Sequence, residues 1–98
     1  MKNAETILML ITTYLKGTYG AGVYTNMRTS TISCALHGRV FTLKVTIHRK
    51  TTVLVKVFGS GQPIRSTTLR VDARASGSYV RVVTFIDECI EKMRKGEL

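Results

Sequence analysis

Side chains able to do acid–base or nucleophilic chemistry are few and badly spaced in this 98-residue chain. His37 and His48 have no Asp or Glu nearby in sequence, and a histidine base needs a partner to orient it and tune its pKa. Cys34 and Cys89 lack the paired spacing of a zinc site and are too few for a disulfide framework, so each reads as a small buried hydrophobe with a free thiol. Gly17, Gly20 and Gly22 do not follow a strand and open a helix, which excludes a phosphate-cradling or dinucleotide-binding loop. No catalytic residue, metal or cofactor is therefore expected, and the chain is read as a non-enzyme.

Cationic chemistry is abundant. Fifteen Lys and Arg face six Asp and Glu, for a formal charge of +9. Between positions 6 and 71 there is no acid at all, while Lys16, Arg28, Arg39, Lys44, Arg49, Lys50, Lys56, Arg65 and Arg70 fall there. The remaining cations are matched one for one by Glu5, Asp72, Asp87, Glu88, Glu91 and Glu97, so the whole net charge lies in the acid-free segment. Cations without internal partners project a positive potential toward an anion. Phosphate oxygens are met by Lys, Arg, Ser and Thr, and this segment is rich in all four. Lys44, Arg49, Lys50, Lys56, Arg65 and Arg70 are the candidate nucleic-acid contacts.

The elements that hold these cations follow from periodicity. Residues 5–16 carry Ile7, Leu8, Leu10, Ile11, Tyr14 and Leu15 at helical spacing, with Gly17 as a stop. The glycine-rich residues 17–22 form a turn, leading into a short strand over residues 23–27. Residues 29–37 alternate, with Ile32, Cys34 and Leu36 on one side. Residues 39–48 repeat the pattern, burying Phe41, Leu43, Val45 and Ile47, and His37-Gly38 makes a tight turn between the two. Residues 51–58 send Val53, Val55 and Val57 inward, and Arg49 and Lys50 occupy the preceding hairpin tip. After a loop at residues 59–63, residues 64–72 add a strand with Thr67, Leu69 and Val71 inward. Residues 78–95 place Tyr79, Val82, Val83, Ile86, Ile90 and Met93 on one helical stripe, with Lys92, Arg94 and Lys95 at the negative end of the helix dipole.

This order predicts a single α+β domain over residues 1–98. An N-terminal helix, an antiparallel meander of about four strands and a C-terminal helix form a two-layer sandwich, both helices on one sheet face. The other face stays wet and presents hydroxyls beside Lys44, Lys56 and Arg70 without an acid. Phe41 points to the core and Phe58 closes its strand, while Tyr19 and Tyr24 are read as packing residues, so base stacking on the sheet is not expected. If the loops share one side, Arg65 extends the patch of Arg49 and Lys50.

The layout is similar to that of the double-stranded RNA-binding domain, which packs two helices on one face of a three-stranded sheet. The chain departs from that family's motifs. Only Arg74 and Arg81 flank residues 75–80, where the family concentrates lysines at the start of its second helix. His37-Gly38 is tighter than the family's first hairpin loop, and residues 64–72 add a strand.

A composition 44% apolar and 21% charged predicts a folded domain rather than a basic tail. The longest apolar run, residues 7–11, falls far short of the roughly 20 residues that span a bilayer, and Glu5 interrupts the pattern of a secretory signal. The chain is expected in the reducing cytoplasm. The function expected is a non-enzymatic nucleic-acid-binding protein (DNA or RNA) that holds the phosphate backbone. The alternative is a small inhibitor or adaptor, of the accessory kind that viruses and mobile elements encode, docking its basic surface on an acidic partner protein. In either case an edge strand, from residues 29–37 or 64–72, is a candidate for pairing into a homodimer.

Overall fold

A computed structural model describes residues 4–49 and 51–98. Helix α1 (Ala4–Tyr19) precedes strands β1 (Gly22–Asn26), β2 (Thr31–Leu36), β3 (Arg39–His48), β4 (Thr52–Phe58) and β5 (Ser66–Asp72), and helix α2 (Ser78–Arg94) closes the order. The strands form one antiparallel sheet in the order β1-β2-β3-β4-β5. The short strand expected at residues 23–27 is one of the five: it spans residues 22–26 and pairs with β2 along its whole length. That pairing makes β2 an inner strand, so of the two expected edges only β5 is one, and β1 is the other.

Strict alternation builds the core. Ile32, Cys34, Phe41, Leu43, Val45, Val53, Val55, Val57 and Val71 are buried on one sheet face. They share a cluster with Ile7, Leu8, Ile11 and Leu15 of α1 and with Val82, Phe85, Ile86, Cys89, Ile90 and Met93 of α2. Both helices therefore cover the same face, α1 against β1, β2 and β3, and α2 against β5. The α2 stripe is rotated from the expected one: Phe85 and Cys89 are buried, while Tyr79 is exposed. Tyr79 lies in the first turn, where it lines a groove with Met9 and Met27 instead of reaching the sheet.

Helix α1 runs past Gly17 and stops at Gly20, whose φ of 62° is left-handed and whose N–H donates to the Lys16 carbonyl at 3.0 Å. The glycine at position 17 costs the helix about 1 kcal/mol. The extra turn brings Tyr19 to α2, where Tyr14 (2.7 Å) and Tyr19 both donate their hydroxyls to Asp87 Oδ1. Their rings meet edge to face, centroids 6.1 Å apart. The β2–β3 turn has positive φ at both His37 (52°) and Gly38 (74°), the geometry that matches the twist of a two-residue hairpin.

Burial sets an alkaline limit on this fold. The thiols are pushed up by desolvation, Cys34 to about 11 and Cys89 to about 12, the latter despite nearby Lys92. The Tyr14 hydroxyl is raised by its bond to Asp87 and by burial, and that of Tyr19 by burial and then by Asp87. All four groups hold their protons more tightly folded than unfolded. Their contribution is complete below the unfolded values and is lost as pH rises through the folded ones. The melting temperature is expected to fall by several degrees between about pH 9 and 11, with a shallower fall in a Cys34→Ala, Cys89→Ala variant. A pH-independent melting temperature over that range, measured by circular dichroism, contradicts this account.

Candidate nucleic-acid interface

The face of the sheet turned away from the helices is organised in rows, because each register pair puts side chains directly opposite one another. One row reads Asn26, Thr31, Lys44, Lys56 and Thr68 across the five strands. Lys44 thus stands opposite Lys56. Arg70, two residues beyond Thr68 on β5, is diagonal to Lys56 and opposite Leu54. All three cations are exposed. Like charges in register, with Cβ atoms about 4.5–5.5 Å apart, destabilise a strand pair. Among the described residues the ion pairs are Arg74–Asp72, Arg94–Glu91 and Lys95–Glu91, and none draws on Lys44, Lys56 or Arg70. The Lys56 ammonium instead lies 5.1 Å from the centroid of the Phe58 ring, an attraction worth about 0.5–1 kcal/mol at an exposed site.

One acid does stand on this face. Asp72 closes β5 at its corner, opposite Thr52. Its Oδ1 accepts the Arg74 backbone N–H at 2.9 Å and Nε at 3.4 Å. These bonds hold the carboxyl below its ordinary range. Asp72 serves the turn into α2 and leaves the Lys44–Lys56–Arg70 cluster uncompensated.

The other expected contacts do not join that cluster. Arg49, exposed with φ 52°, tips the β3–β4 hairpin at one end of the sheet. Arg65 leads into β5 at the opposite end, the length of β4 away, and donates to the Glu97 carbonyl at 3.3 Å. The two loops therefore do not share one side. Lys50 lies outside the described residues.

A second row, two residues along the strands, holds an arrangement that sequence reasoning missed. It reads Tyr24, Ser33, Thr42, Phe58 and Ser66. Tyr24 does not pack on the core: it is 69% exposed on the wet face, at the β1 edge. The signal was alternation, since Val23 and Thr25 turn inward and Thr25 bonds Thr12 of α1 at 2.7 Å. Gly22 and Ala35 beside it are small, and with Ser33 and Val40 they leave a shallow depression against the ring.

Other concavities are chemically thinner. The cleft between the β2–β3 turn and the end of α2 is lined by Leu36, His37, Arg39, Phe41, Met93 and Arg94, but Arg94 is committed to Glu91 at 2.7 Å. His37 and His48 sit at opposite ends of β3. Cys34 and Cys89 are buried and free. No cluster of three His, Cys, Asp or Glu with metal-binding geometry occurs among the described residues. No helix among them is long and apolar enough to cross a membrane.

Comparison with protein-family models, with curated proteins and with solved structures finds no match to this chain.

Proposed function

We propose that the protein is a non-enzymatic nucleic-acid-binding protein that holds the phosphate backbone on its wet sheet face. The observation that carries this reading is the Lys44–Lys56 pair, in direct register and extended diagonally by Arg70, with no ion-pair partner among the described residues. Such a pair strains the sheet until an anion lies over it, and a phosphodiester supplies one charge for each cation while accepting hydrogen bonds from the flanking threonines. Arg49, exposed at the hairpin tip, stands apart from this cluster as a separate candidate contact. Little base specificity is expected, because lysine and arginine on an open sheet meet phosphates without reading base edges.

Binding to short DNA and RNA is the test, measured at about 50 and 200 mM salt, a range over which three phosphate contacts on a single strand, each contributing about 0.7 to the log–log slope, weaken binding by about 20-fold. Binding at the lower salt that weakens steeply at the higher one is the expected result. Absence of binding at the lower salt overturns the proposal.

A further inference from the structure

We infer that the nucleic acid taken by this face is single-stranded, with bases stacked on Tyr24 and Phe58 while the backbone follows the adjacent Lys44–Lys56 row. The inference rests on the nucleic-acid reading of the same face and adds the class of strand to it. Tyr24 on β1 and Phe58 on β4 belong to one register row, three strand spacings or about 14 Å apart, a span a single strand crosses in a few nucleotides. Ser33 and Thr42 lie between them and offer hydroxyls rather than bulk. The lysine row runs parallel, two residues or about 7 Å along the strands, so that bases on one row leave their phosphates near the other.

Each ring is suited to its part. Tyr24 is exposed beside the depression left by Gly22 and Ala35, which gives a base room to lie against it. Phe58 is half-buried and covered by the Lys56 ammonium. A phosphate draws that ammonium off the ring and a base takes its place, so backbone and base contacts are made together. A duplex uses neither ring, because its bases are already stacked on one another and its face to the protein is phosphate and groove edge.

Three probes separate the contributions: a short oligodeoxythymidylate, an abasic phosphodiester of the same length, and the duplex with oligodeoxyadenylate. The thymidylate is expected to bind most tightly. Tyr24→Ala and Phe58→Ala should each weaken it by about 5- to 100-fold and leave the abasic chain unchanged, whereas Tyr24→Phe keeps the affinity. Because the chain has no tryptophan, Tyr24→Trp adds a single reporter whose emission the thymidylate should quench and the abasic chain should not. Equal binding of thymidylate and abasic chain, with neutral alanine variants, overturns the stacking inference and leaves backbone binding standing. Failure of all three probes to bind overturns both.

Discussion

Replacing Lys44, Lys56 and Arg70 together by threonine should cut affinity for a single strand on the order of 10²-fold at about 50 mM salt, and make the salt dependence shallower by about 2 in the log–log slope. The magnitude follows from counterion release: each phosphate neutralised contributes about 0.7 to that slope on a single strand, and three are lost. The same substitutions separate binding from folding. Lys44 and Lys56 face each other across β3 and β4 with no acid between them, so Lys44→Thr removes a repulsion and should raise stability by about 0.2–1 kcal/mol. Lys56→Thr relieves the same repulsion, about 0.2–1 kcal/mol, but also removes the ammonium over Phe58, about 0.5–1 kcal/mol, and the two effects should nearly cancel. A stabilised Lys44→Thr protein that binds less well marks residues held for function at a cost in stability. Thermal melts and fluorescence anisotropy on the same preparations measure both. A triple variant that folds and binds as tightly as the parent removes the sheet face from consideration.

The cluster was legible because its strands are. In β3 and β4 every second residue is aliphatic or aromatic, so the placement of Lys44 and Lys56 on the opposite face follows from alternation, whereas their standing directly opposite one another is set by the β3–β4 pairing. The turn at His37-Gly38 was legible through its glycine. Tyr24 was not: a strand was expected over residues 23–27, but with Val23 as the only aliphatic of a short, glycine-led β1 the side that Tyr24 takes was read as inward. Its place in the sheet comes from pairing with β2, a tertiary contact that local propensity does not encode. The same pairing buried the expected edge at β2. The separation of Arg49 from Arg65 follows from meander geometry: successive turns of an antiparallel meander fall at alternate ends, so the β3–β4 and β4–β5 connections cannot form one patch. Asp72 was expected to end the last strand but was not counted on the wet face; it stands there in phase with Arg70 at the corner of β5, bonded to Arg74.

Gly59 carries a second large effect, and it falls on stability. The residue follows β4 directly and is buried, its N–H donating to the Arg65 carbonyl at 2.8 Å. A Cβ at this position would overlap the main-chain carbonyl carbon of Leu98, lie 2.6 Å from its oxygen and press on its side chain. The obstruction is backbone, so no rotamer change relieves it; Leu98 itself must leave. Leu98 is only 7% exposed and belongs to the core cluster, and returning a leucine to water costs about 1.5–3 kcal/mol. In a domain of this size, whose core is modest, that is a large part of the total. Gly59→Ala is therefore expected to destabilise by about 1.5–3 kcal/mol in urea unfolding, and Leu98→Ala by a similar amount. The decisive quantity is their combination. Because the alanine at 59 acts by expelling Leu98, the double variant should cost little more than either single change, whereas independent sites would add. Additive losses would show that Gly59 is required for its own backbone rather than for the room it leaves. Because neither residue lies on the basic face, both single variants should keep their affinity for nucleic acid under conditions where they remain folded, which separates this part of the fold from the binding surface.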